Sequence, residues 1–166
     1  MARTELDRTV QPSLLDRLTD RDPRTPADPP ISREESVRRF RNSVLRDVEW
    51  LLNTRRTPET VPEGLSLVSR SVFTYGLPDT TGIAMGSRVG RELLVRRIEQ
   101  TLATFEPRLA DVQVTLTEAD QIRSPQVLFA ITALLRMDPS PEQVVFDTVF
   151  DLASGGYAVR PQGATP

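Results

Sequence analysis

Apolar residues in this chain recur first at helical spacing and then at strand spacing, and the change of period falls at one point. Behind Ser32, which stands three residues before Glu35 as a capping box requires, Val37, Phe40, Val44, Leu45, Val48, Leu51 and Leu52 recur every three or four residues. That spacing predicts an amphipathic helix to about Asn53, with Trp50 beside the stripe and Arg38, Arg39, Arg41, Arg46, Asp47 and Glu49 on the other side. Arg55 and Arg56 follow, placed to complement the negative helix end. Pro58 and Pro62 interrupt the pattern. Leu65, Val68 and Val72 then predict a short helix ending near Tyr75 and Gly76, the glycine being suited to a left-handed terminal turn. After a turn at Leu77-Pro78-Asp79 and a loop over 80–86, Ser87 caps a further helix whose stripe is Leu94, Ile98, Leu102 and Phe105.

Beyond Pro107 the period drops to two. Val112, Val114 and Leu116 alternate with Gln113 and Thr115, as a half-buried strand requires. Residues 126–137 read as a second strand with Val127, Phe129, Ile131, Ala133, Leu135 and Met137 on one face and Leu128, Ala130 and Leu134 on the other, which predicts a central strand covered on both sides. A turn over Met137-Asp138-Pro139-Ser140-Pro141 leads to a third strand, Gln143 to Asp151, and Tyr157 to Val159 add a short edge strand. The short connections predict an antiparallel meander. Upstream, Ser13 opens a short helix with Leu14, Leu15 and Leu18 on one side, and Pro23, Pro26, Pro29 and Pro30 mark an extended linker. The fold class is α+β, two main helices on a small antiparallel sheet. The organisation is an N-terminal extension over 1–30, with its helix at 13–18 and Pro-rich linker, one domain over 31–160, and a flexible tail over 161–166.

Composition narrows the chemistry. The chain has 166 residues, 38% of them hydrophobic, which suits one modest core, and a formal net charge of -2 gives no global field favouring nucleic acid or an anionic membrane. It contains no Cys, His or Lys, which excludes thiolate chemistry, disulfides, Cys/His zinc sites and the commonest general base at neutral pH. The first residues lack the apolar core of a signal peptide and no run approaches a membrane span, so a soluble cytoplasmic protein is expected.

The candidate site is the point where the period changes, Phe105-Glu106-Pro107-Arg108-Leu109. Proline cannot continue a helix and forces the preceding residue out of helical geometry, so Glu106 and Arg108 flank a stiff corner. The pair can serve to dock a partner, or the two charges can meet each other and fix the turn. Glu106 is also the obvious acid for a peptidoglycan-cleaving glycoside hydrolase, with Asp79 or Glu49 as its mate. Arg108 argues against that, because a neighbouring guanidinium holds a carboxylate ionised. Ser or Thr nucleophiles lack a base, Gly82 and Gly86 do not make a phosphate loop, and Asp79, Asp138 and Asp147 lack metal-loop spacing, so no cofactor or metal is expected. The segment Arg38-Arg39-Phe40-Arg41 reads as the solvated side of a helix, since Phe40 belongs to the core stripe. An arginine-lined face of this kind also suits an acidic protein partner.

Four segments in order resemble the TssE family, baseplate subunits of type VI secretion systems that are similar to the lysozyme-like wedge proteins of contractile phage baseplates. They are Ser13-Leu14-Leu15-Asp16-Arg17-Leu18, Asp47-Val48-Glu49-Trp50-Leu51-Leu52-Asn53-Thr54-Arg55, Ser71-Val72-Phe73-Thr74-Tyr75-Gly76-Leu77-Pro78-Asp79, and Phe105-Glu106-Pro107-Arg108-Leu109. The resemblance implies a structural protein without enzyme activity. It implies that Glu106, Pro107 and Arg108 attach the wedge proteins TssF and TssG, in an assembly that includes TssK at the cytoplasmic side of the inner membrane. It further implies that strand edges engage the sheath proteins TssB and TssC. A small regulatory adaptor of the same fold is the other non-enzymatic reading.

Overall fold

The computed structural model describes residues 9–19, 23–24, 30–117 and 126–163; most of the Pro-rich linker and the last three residues of the tail lie outside this set. Its elements follow in the order α1 (Leu14–Leu18), α2 (Arg33–Asn53), two single 3-10 turns (Val68–Arg70 and Val72–Thr74), α3 (Arg88–Phe105), β1 (Leu109–Leu116), β2 (Gln126–Leu135), β3 (Glu142–Asp151) and β4 (Tyr157–Pro161). The four strands form one antiparallel sheet in the order β1-β2-β3-β4, the meander expected from the short connections. The α+β class and the two main helices stand as the pattern predicts.

Each predicted helix start is capped. The Ser13, Ser32 and Ser87 hydroxyls accept from the backbone N–H of Asp16, Glu35 and Gly90, satisfying donors that the first turn leaves open. The box at Ser32 is only half formed, because the Glu35 carboxylate bonds Arg38 and Arg39. Charge-assisted bonds at i+3 and i+4 outcompete a neutral amide. Within α2, Phe40, Val44, Val48, Leu51 and Leu52 are buried, and within α3 Leu94, Ile98 and Leu102 are, all in one cluster with a single face of the sheet. Burying side chains of this size contributes about 1.5–3 kcal/mol each. The cluster also takes in Val10 from the N-terminal extension, whose N–H donates to Ser36 Oγ at 3.0 Å.

Two expectations are corrected. The short helix over 65–75 is replaced by the two 3-10 turns, and its stripe is not buried: Leu65 and Val72 are 49% and 90% exposed. Ser69 and Ser71 donate to the carbonyls of Ser66 and Val68, a local bonding pattern that competes with a continuous helix. Likewise β2 is central in the sheet but, among the described residues, covered on one side only. Val127, Phe129, Ile131, Ala133 and Leu135 are buried against the helices, whereas Leu128, Ala130 and Leu134 on the opposite face are half-buried. Met137 lies past the end of β2.

Gly76 has the predicted left-handed backbone, with φ of 104°, but its role is not to cap a helix. A Cβ there would sit 2.3 Å from the Thr54 carbonyl oxygen, so only glycine lets the 70s segment cross the end of α2. Leu77 N–H donates to that carbonyl at 2.8 Å and Arg56 N–H to Leu77 oxygen at 2.9 Å, which stitches the crossing.

Candidate functional site

α3 stops at Phe105 because Pro107 cannot supply the next amide. Glu106 N–H still bonds the Leu102 carbonyl at 2.9 Å, and Leu109 N–H bonds the Glu106 carbonyl at 3.0 Å, so the corner is a closed turn opening into β1. The side chains at this corner face each other. Glu106 is 4% exposed, and its Oε1 accepts from Arg108 Nε at 2.6 Å and from Arg108 N–H at 3.3 Å. Its Oε2 accepts from Arg108 Nη2.

The pairing extends beyond the corner. Arg108 Nη2 also donates to Asp47 Oδ2 of α2 at 2.7 Å, and Asp47 Oδ1 accepts from Arg46 Nε and Nη2 at 2.9 and 2.7 Å. Arg46 Nη1 donates to Asp16 Oδ1 of α1 at 2.8 Å, and Asp16 Oδ2 accepts from Ser13 Oγ at 2.5 Å. Charges therefore alternate Asp16, Arg46, Asp47, Arg108, Glu106 across three sequence-distant segments, three carboxylates against two guanidiniums. Burial works against the charge on Arg108, but the bonds and charges of Glu106 and Asp47 outweigh it and raise its pKa above the ordinary value. Burial likewise opposes ionised Asp16, and the bonds from Ser13 and Arg46 outweigh it, leaving its carboxyl below the usual range. Tyr75 is pushed up by burial first and then by Asp47 and Glu106.

With the charges turned inward, the surface of the corner is apolar and aromatic. Ser13, Leu15, Trp50, Tyr75, Phe105 and Pro107 wall an open groove of about 400 Å³, with Asp47, Glu106 and Arg108 along it. Trp50 is 54% exposed and Leu15 49%. The Arg46 guanidinium lies 5.0 Å from the centre of the Trp50 ring, a cation–π contact that holds the indole in place, and Tyr75 meets Phe105 edge-on at 5.4 Å. Pro107 is exposed at the rim.

Glu106, Pro107 and Arg108 thus stand together, but the charged pair is engaged within the domain. The carboxylates considered as mates for an acid are occupied elsewhere: Asp79 accepts from Thr81 N–H and Oγ1, and Glu49 from the N–H of Val159. Both Glu106 oxygens are taken by Arg108, an arrangement that fixes a turn and offers no free acid to a substrate. Sequence reasoning put Arg46 and Asp47 on a solvated helix side and left Asp16 unassigned. Asp16 and Asp47 carry a signal only as members of the ordered segments Ser13–Leu18 and Asp47–Arg55, and Arg46 lies just before the second.

A family model described as baseplate wedge protein gp25 matches residues 38–140, from the second turn of α2 past the corner to the turn after β2. No curated protein and no solved structure matches the chain.

Proposed function

The chain belongs to the baseplate wedge protein gp25 family, a structural component of the baseplate of contractile injection machines, and on that footing we propose that it is the TssE-type subunit of a type VI secretion system. In this role it links the TssF and TssG wedge proteins, in an assembly shared with TssK, to the sheath proteins TssB and TssC. It works at the cytoplasmic side of the inner membrane; among the described residues no helix is long and apolar enough to cross a membrane.

The observation that carries this reading is the groove at the corner. A closed ion-pair chain holds the turn rigid, and beside it Trp50, Tyr75, Leu15 and Pro107 offer the apolar, aromatic surface that protein interfaces use for their central anchors. Attachment therefore rests on that surface, with Pro107 in contact and Glu106 and Arg108 positioning it. Truncation of a central aromatic anchor typically costs about 2 kcal/mol or more, so Trp50→Ala lowers affinity for a TssF–TssG complex by roughly thirtyfold or more while unfolding is unchanged. Undiminished affinity of Trp50→Ala overturns the assignment. Incubation with peptidoglycan gives no turnover on this reading, and turnover abolished by Glu106→Gln would replace it with the hydrolase.

A further inference from the structure

The two outer strands of the sheet are finished differently. In an antiparallel ladder, alternate residues of an edge strand point their N–H groups away from the neighbour, and in β4 the outward positions are Tyr157, Val159 and Pro161. Tyr157 N–H donates to Asn53 Oδ1 at 2.9 Å, and its carbonyl accepts from Asn53 Nδ2 at 2.8 Å. Val159 N–H donates to Glu49 Oε2 at 3.2 Å, and Pro161 has no N–H to offer. Glu49 and Asn53 stand four residues apart on α2, so one helix face lies along the strand, and Asn53 Nδ2 is also tied to the Glu49 carbonyl at 2.9 Å. Every outward donor of β4 is taken or missing. An added strand would find no ladder to extend there.

β1 is different. Thr117 N–H bonds the Leu128 carbonyl at 2.9 Å, so Thr115 and Thr117 face β2 and the outward positions are Val114 and Leu116. Val114 N–H, like that of Val159, is held by one side-chain bond, to Glu99 Oε1 of α3 at 2.9 Å, but no side chain among the described residues bonds the N–H of Leu116. On the reading that the chain meets the sheath through a strand edge, we infer that the strand is accepted on β1, over Val114 and Leu116, and that β4 is closed to it.

The occupant is an extended segment of the sheath with alternating apolar and polar residues and a basic side chain. Its apolar positions continue the face on which Val112 and Leu116 are half-buried beside Val114, and its polar positions continue the exposed face of Gln113 and Thr115. By taking the Val114 amide it frees the Glu99 carboxylate, which a basic side chain complements.

The test uses the full chain and a complex of the TssB and TssC sheath proteins from the same genome. Leu116→Pro deletes the outward N–H of β1 and leaves the β2 ladder its donors, and Val159→Pro is the matching change in β4. Leu116→Pro lowers association at least tenfold and Val159→Pro leaves it unchanged. Amide exchange on the unsubstituted chain gives a second readout that needs no variant to fold. Tyr157 and Val159 are protected in the free protein, Leu116 exchanges fast, and Leu116 gains protection in the complex. Loss of association with Val159→Pro alone, or protection gained on β4 and not on β1, overturns the inference while the sheath reading stands. An unsubstituted chain that does not bind TssB–TssC overturns both.

Discussion

Replacing Arg108 with alanine tests whether the corner charges are closed on each other. The change strips Glu106, 4% exposed, of both its guanidinium bonds, whereas Asp47 keeps Arg46. Removing one partner of a buried pair costs about 3–5 kcal/mol because a charge is left uncompensated. With one carboxylate of the two still paired, the lower end applies, about 3 kcal/mol. Set against a typical domain stability of about 5–15 kcal/mol, that is a large loss. In urea, with a slope of about 2 kcal/mol/M, the unfolding midpoint falls by about 1.5 M at unchanged slope. Trp50 reports the transition by fluorescence, since its ring lies against Arg46 in the same ion-pair chain. The paired change Glu106→Gln with Arg108→Met recovers most of the loss, because replacing both charges avoids the orphaned carboxylate. A cost below about 1 kcal/mol for Arg108→Ala, the value of an exposed pair, refutes the closed-charge account.

Three further outcomes follow from the same geometry. The Asp16 carboxyl is below its ordinary value of 3.8 in the folded protein, so the Asp16–Arg46 link is intact above that pH and is lost as pH falls through the folded value. The Leu15 and Leu18 amide signals accordingly hold steady through neutral and mildly acid pH, and Asp16→Asn shifts them at neutral pH. Gly76→Ala meets both the Thr54 carbonyl and a φ of 104°, so it destabilises by about 1–3 kcal/mol, read from the denaturation midpoint. Burial pushes the Tyr157 phenol up to about 12 from an ordinary 10.0, so the unfolded chain loses its proton first; stability falls by about 2–3 kcal/mol as pH rises from about 10 to 12, and Tyr157→Phe removes that slope.

The helices and strands were legible because their apolar periods are long and their caps are serines with short reach: Ser32 before Val37–Leu52, Ser87 before Leu94–Leu102, and the alternation from Val112 onward. What was not legible depends on chain crossings. Leu65, Val68 and Val72 keep helical spacing, yet Ser69 and Ser71 turn the backbone into single 3-10 turns, and a period cannot weigh those local bonds. Leu128, Ala130 and Leu134 are apolar without a second layer over them among the described residues, because alternation shows which residues share a face and not what packs on it. At the corner, Glu106-Pro107-Arg108 marks where the helical period ends, but the direction of its charges is set by Asp47, 61 residues from Arg108, and through Arg46 by Asp16. The pattern makes Glu49 a polar helix position and Asn53 the helix end, and their contact with β4 spans more than 100 residues of sequence.

The central claim is that the apolar groove beside the closed corner receives the wedge partner. Site-specific photo-crosslinking from a benzophenone amino acid in place of Trp50, in the full chain co-expressed with TssF and TssG, tests it most directly. The same group in place of Val89, exposed at the start of α3 and about 24 Å along the helix from the corner, serves as the remote position. Crosslinks to TssF or TssG from Trp50 and none from Val89 are the predicted result. A complex that forms with crosslinks from Val89 and none from Trp50 contradicts the account.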